Sequence, residues 1–163
     1  MIRRILCLLL LCALPALAQE ATGGPVPKFE FPHESGAISS EALKGKVILI
    51  NCWATWCGPC MGEMPDLVKL QEKYKDQGLQ LVGVSFDQSE EQMKKGAERL
   101  NLNFPVVMHD LPEVASFLEK LPPVEGIPTT WIIDPDGTIV VHHIGAQNLE
   151  AFETMIKPHL PKQ

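Results

Sequence analysis

Short apolar runs alternate with amphipathic stretches along this chain, an order that predicts alternating strands and helices. Phe29-Glu30-Phe31 and Ala37-Ile38 read as a short opening hairpin around Gly36, after which Ser39 or Ser40 caps a single turn over residues 41–43. Residues 46–52 (KVILINC) are almost unbroken apolar sequence of strand length, as a strand covered on both faces requires. A helix is predicted from the Cys57 region to a C-cap at Gly78, with Met61, Met64, Val68 and Leu70 or Gln71 as its stripe and a kink at Pro65. Residues 79–86 form the next strand, and Asp87 or Ser89 opens a helix reaching about Leu102. A short strand over 104–108 and a short helix over 113–121 follow. Residues 130–133 and 138–142 pair as a hairpin turning on Asp134-Pro135-Asp136-Gly137, and Asn148 caps a last helix over 149–159. The pattern describes one α/β domain with a mixed sheet flanked by helices.

The ends of the chain modify this picture. Arg3 and Arg4, an apolar run from Ile5 to Leu14, Pro15 and then Ala16-Leu17-Ala18 have the order of a signal peptide cleaved after Ala18. An uncleaved membrane anchor is the alternative, although the run is shorter than the roughly 20 residues a spanning helix needs. Leu11 before Cys12 disfavours lipid attachment. Residues 19–27, rich in Gly, Pro and small side chains, read as a flexible tether, leaving 28–163 as the folded domain. The expected location is therefore the periplasm.

Charge and cysteine usage narrow the chemistry. The whole chain carries a net charge of −6, and the signal segment removes two arginines and no acid. No basic stripe exists to neutralise phosphates, so nucleic acid is not an expected partner. Of five cysteines, Cys7 and Cys12 leave with the signal. Cys52, Cys57 and Cys60 remain, too few for a disulfide scaffold in an oxidising compartment. One working dithiol and one bystander is the simpler reading.

Cys57-Gly58-Pro59-Cys60 follows an apolar strand and opens a helix. Two intervening residues let both sulfurs meet within disulfide geometry. Placement at the helix N-terminus surrounds Cys57 with free N–H groups and the positive end of the dipole, which favour the attacking thiolate. Cys60, one turn further in, is the resolving thiol. A structural disulfide or half a zinc site is the competing reading. Zinc requires a second pair of ligands, and no other CxxC and no His-x₃₋₅-His is present. His142 and His143 alternate across a strand and cannot both face one metal. No metal and no cofactor other than the Cys57–Cys60 disulfide is expected.

The run from Val47 to Cys60, continued by Glu63-Met64-Pro65, resembles the TlpA/ResA branch of the thioredoxin superfamily. Gly126-Ile127-Pro128-Thr129-Thr130-Trp131-Ile132-Ile133-Asp134-Pro135-Asp136-Gly137 is similar to that branch's second signature. The resemblance covers nearly the whole chain after Lys28. It implies a thioredoxin fold: a central mixed sheet flanked by helices, with an N-terminal hairpin and an inserted βα segment. It further implies a cis Pro128 against the dithiol, with the Ile127 backbone offered to an incoming peptide. Trp56 beside Cys57 then serves as an apolar shoulder for substrate, with Gly58 and Pro59 completing the contact surface.

Glu63 shares the face of Cys60 on the same helix, three residues on. In ResA-like proteins the residue at this position handles protons for the dithiol, a role carried over to Glu63. A solvated helix-face glutamate is the plain alternative. Cytosolic thioredoxins place a buried acid six residues before the first cysteine, where this chain has Asn51, which cannot titrate. Cys52 also departs from the family pattern and reads as a small buried hydrophobe.

The function expected from these residues is an exported thiol-disulfide oxidoreductase that reduces disulfides in envelope proteins. Its partners would be disulfide-bearing exported proteins and a membrane dithiol donor, and a monomer is expected. Gly-Pro between the cysteines leans towards reduction. The resemblance implies action on cytochrome c precursors, on copper-site cysteines of respiratory oxidases, or on other envelope proteins. Thr129 counts mildly against the cytochrome role, because dedicated relatives carry an acidic residue there. A thiol peroxidase, a disulfide oxidase and a thiol chaperone of the same fold remain as alternatives. The peroxidase reading lacks the Thr/Pro-x-x-x-Thr/Ser-x-x-Cys setting before Cys57.

Overall fold

The structure is a computed structural model and describes residues 23–162. The signal peptide and the first part of the tether lie outside the described residues.

Among the described residues, eight strands and four α-helices follow in order. β1 is Gly23–Pro25, β2 Glu30–Phe31, β3 Ile38–Ser39 and β4 Val47–Trp53; α1 is Gly58–Tyr74 and β5 Leu79–Ser85. Then come α2 Glu90–Arg99, β6 Val106–Met108, α3 Pro112–Leu118, β7 Thr129–Ile133, β8 Thr138–Ile144 and α4 Leu149–Ile156. Six strands form one sheet in the order β1-β8-β7-β4-β5-β6, and β2 and β3 pair separately as the opening hairpin. β4, β5 and β6 run parallel, whereas β7 is antiparallel to both β4 and β8. The sheet is mixed, and β6 with α3 forms the βα segment inserted between α2 and β7.

β4 lies inside the sheet with every residue buried, which explains its lack of alternating polarity. Side-chain alternation along it builds two cores. Val47, Leu49 and Trp53 pack with α1, α4 and Met93 of α2 on one side. Ile48, Ile50 and Cys52 pack with Phe29, Phe31, Phe117 and Trp131 on the other. Asn51 therefore points to the α1 side, and Cys52 away from it.

Two local expectations change. Residues 23–25, read as tether, form an edge strand on β8, and Val26 N–H extends the contact by donating to the Gly137 carbonyl at 2.8 Å. Backbone pairing needs no apolar side chains, so a Gly-Pro-rich segment concealed it. The buried face of α1 is Cys60, Glu63, Met64, Leu67, Leu70, Gln71 and Tyr74, whereas Met61 and Val68 are only partly buried. The 3.6-residue period counts from Cys60, one position off the stripe read from the methionines. Pro65 lies on the exposed side inside this helix, which continues to Tyr74 and a 3₁₀ turn over Lys75–Gln77. Gly78 then takes φ 89°, the left-handed conformation that ends the helix. Of the two caps expected for α2, Ser89 is the one used, its Oγ accepting from Gln92 N–H at 3.3 Å.

Candidate active site

The chain leaves β4 through a tight turn, Cys57 N–H donating to the Ala54 carbonyl at 3.1 Å, and enters α1 at once. Cys57 is the N-cap, with extended backbone (φ −86°, ψ 103°), and its Sγ accepts from Cys60 N–H at 3.2 Å. A sulfur takes the place that Ser or Asp holds at ordinary helix starts. Gly58 and Pro59 fill the first turn, where a missing proline N–H removes no helical bond. Cys57 and Cys60 are joined as a disulfide with Cα atoms 5.3 Å apart. Cys57 is 6% exposed and Cys60 wholly buried, so Cys57 is the more accessible of the two.

Two exposed large hydrophobic residues flank this edge. Trp56 is 63% exposed; Ile144, at the end of β8, is 44% exposed. Ile127–Pro128 is a cis peptide, and the Ile127 carbonyl oxygen lies 3.7 Å from Cys57 Sγ. Gly145 N–H donates to the Pro128 carbonyl at 2.8 Å, tying the β8–α4 loop to the same edge. Nothing in the sequence distinguishes Ile144 from other strand apolars, so its place here emerges only from the fold.

Glu63 is not a solvated side chain. It is 2% exposed, with Oε1 accepting from Asn51 Nδ2 at 2.8 Å and Oε2 from Gln147 N–H at 3.0 Å. Burial pushes its carboxyl above the usual carboxylate range, and the Gln147 and Asn51 donors only partly offset that. Asn51 Nδ2 also donates to Thr130 Oγ1 at 3.1 Å, whereas its buried Oδ1 has no partner among the described residues. The side chain of Gln147 meets His143 Nε2 at 2.7 Å. Gln147, which reaches Glu63, and Thr130, which reaches Asn51, are not legible in the sequence, because they come close only through pairing of β4, β7 and β8. Asn51 is, through the spacing that puts it six residues before Cys57.

The remaining candidates separate from this cluster. Cys52 is fully buried on the opposite face of the sheet, and burial drives its thiol far above the ordinary range. Trp53 is wholly core. His142 stacks on Trp131 with centroids 5.7 Å apart, and His109 stacks on Phe86 at 4.4 Å. Among the described residues no three His, Cys, Asp or Glu side chains are grouped so as to hold a metal ion. A cleft between the opening hairpin and α2, lined by Ile38, Met93, Phe104 and Leu111, lies apart from the dithiol.

Comparison with known proteins gives a consistent picture. Residues 22–142 match the AhpC/TSA family. The chain is similar to a thiol-disulfide oxidoreductase ResA of Bacillus cereus, 33% identical over 128 residues, covering 78% of this chain and 72% of that protein. It is 37% identical over 135 residues to the thioredoxin-like protein YneN of Bacillus subtilis, covering 80% of this chain and 76% of the relative. A thiol:disulfide interchange protein of the thioredoxin family from Chlorobium tepidum TLS superposes with a TM-score of 0.76 at 30% identity, covering 85% of this chain and 97% of that one.

Proposed function

Because this chain belongs to the AhpC/TSA family and is a ResA-like thiol-disulfide oxidoreductase acting on disulfide-bearing proteins, we propose that it works as an exported reductant of envelope proteins. Reduced Cys57 attacks a substrate disulfide, forming a mixed disulfide and releasing one substrate thiolate. Cys60, as thiolate, then attacks Cys57 Sγ, which forms the Cys57–Cys60 bond and frees the second substrate thiolate. Two electrons pass to the substrate, and a membrane dithiol returns them. Glu63, as carboxylate, takes the proton that Cys60 loses, a transfer that a pKa raised by burial favours. Trp56 gives the substrate an apolar shoulder, and Ile127 offers backbone for strand-like pairing beside Pro128.

The observation that carries this reading is the asymmetry of the pair. Cys57 caps the helix at the surface edge, beside Ile127 and an exposed Trp56, while Cys60 is enclosed near a buried acid's helix face. Gly-Pro between the cysteines supports the reducing direction. Cytochrome c precursors, copper-site proteins of respiratory oxidases or other envelope proteins are the substrates we propose, with Thr129 counting mildly against the first class. Export rests on the segment from Met1 to Ala18.

The redox state in growing cells tests the direction. Acid quenching followed by maleimide labelling should find Cys57 and Cys60 mainly reduced. A fully oxidised pair would assign the protein as an oxidase instead. Steady-state turnover of insulin disulfides separates the reductase from a thiol chaperone, and faster turnover of hydrogen peroxide than of insulin would indicate a peroxidase.

A further inference from the structure

β4 and β5 end side by side, with Trp53 opposite Ser85, and the loops leaving them meet next to the dithiol. Phe86 N–H donates to the Trp53 carbonyl at 2.8 Å, which brings the next residue, Asp87, under the turn that leads to Cys57. Asp87 is only 1% exposed. Its Oδ1 accepts from both Thr55 N–H (3.0 Å) and Thr55 Oγ1 (2.6 Å), and its Oδ2 accepts from Ser85 Oγ at 2.9 Å. Among the described residues no basic side chain forms an ion pair with it. A buried carboxyl without a cation is costly unless its oxygens are satisfied, and here neutral donors satisfy them. Asp87 does not cap α2, because Ser89 does. Its Oδ1 is given to Thr55 twice over, while Oδ2 is held by Ser85.

Thr55 and Trp56 are the central residues of the turn closed by Cys57 N–H on the Ala54 carbonyl. α2 supports the same residue from another side, since a Cβ at Gly96 would collide with the Thr55 methyl group. Thr55 is thus held at its backbone, its hydroxyl and its methyl. The turn's last residue is Cys57, and its third is the exposed Trp56. We infer that Asp87 is a positioning residue for disulfide exchange: by clamping Thr55 it holds Cys57 at the α1 N-terminus and Trp56 outward. The inference rests on Cys57 being the attacking thiol, and that premise fails separately if the reduced wild type is alkylated first at Cys60.

The pH profile of Cys57 alkylation in the reduced protein distinguishes positioning from simple electrostatics. Removing a nearby carboxylate should by itself ease thiolate formation and lower the midpoint. Releasing the turn should do the opposite, because Sγ loses the Cys60 N–H and the helix N-terminus. Asp87→Ala is expected to raise the midpoint by about one pH unit, a tenfold shift in the thiol–thiolate balance. Asp87→Asn, which keeps an acceptor oxygen for Thr55, should return it to the wild-type value or below. Should Asp87→Ala fail to fold, Thr55→Val removes the hydroxyl bond alone and should raise the midpoint by a smaller amount. A midpoint that stays or falls in Asp87→Ala, an equal rise in Asp87→Asn, or an unmoved profile in Thr55→Val each overturns the inference.

Discussion

Asn51 Nδ2 and Glu63 Oε1 meet at 2.8 Å in the protein interior, one from the middle of β4 and the other from α1, twelve positions apart in sequence. The amide stands on the strand six residues before Cys57, and the buried acid it holds lies on the helix. Asn51 can serve either protonation state of its partner. Its Nδ2 donates to the carboxylate, and after an amide flip its Oδ1, unpartnered in the present arrangement among the described residues, can accept from the protonated form.

Glu63 should therefore leave a signature in stability against pH. Its folded-state pKa is raised by burial, so the folded protein holds the proton to higher pH than the unfolded chain. Stability falls as pH rises from the ordinary carboxyl value near 4.5 through that raised value. Glu63→Gln should flatten this slope in denaturant titrations and slow the resolving step by roughly a hundredfold, a typical general acid–base contribution. An unchanged slope together with unchanged exchange kinetics would remove Glu63 from proton handling.

Restoring the acid at the strand position should be harmful in a pH-dependent way. Asn51→Asp puts two carboxyls at hydrogen-bond distance, and one must keep its proton. At pH 5 the pair can share that proton, and the loss should be small. At pH 8 the loss should reach about 3 kcal/mol, the scale of an uncompensated buried charge. Denaturant midpoints at the two pH values check this, and equal losses would contradict the pairing.

Cys52 is expected to be inert. Fully buried and with its thiol held far above the ordinary range, it should resist alkylation in the folded protein. Cys52→Ala should keep full disulfide-exchange activity. Cys52→Ser, which buries a hydroxyl among apolar neighbours, should cost about 1–3 kcal/mol of stability. Loss of activity in the folded Cys52→Ala protein would give the third cysteine a redox part.

Trp56 should matter to protein substrates and not to small ones. At 63% exposure it contributes little to the core, so Trp56→Ala should fold normally. Truncating an exposed aromatic anchor should lower kcat/KM for a protein disulfide by about tenfold. The rate with a small aromatic disulfide should stay within about twofold, since it needs only Cys57. Parallel losses on both substrates would argue that Trp56 shapes the thiol itself.

Much of this arrangement is readable in the residues, because it depends on local order. A buried strand followed at once by Cys57-Gly58-Pro59-Cys60 gives the helix-capping nucleophile without tertiary knowledge. Asn148, Ser89 and the Asp134–Gly137 turn are equally visible, each acting within four residues of itself. Whatever depends on distant pairing is hidden. Gln147 reaches Glu63 from 84 positions away, and Asp87 reaches Thr55 from 32. The edge strand at residues 23–25 escapes for a different reason, since its pairing uses backbone alone.

Attack by Cys57 and resolution by Cys60 are best checked by trapping the covalent intermediate. The reduced Cys52→Ala, Cys60→Ala protein should form a stable mixed disulfide with insulin, and peptide mapping by mass spectrometry should place it on Cys57. The Cys52→Ala, Cys57→Ala protein should form little, because Cys60 is wholly buried. A complex that accumulates on Cys60 instead, or none on Cys57 in a protein that still turns over insulin, would contradict the assignment.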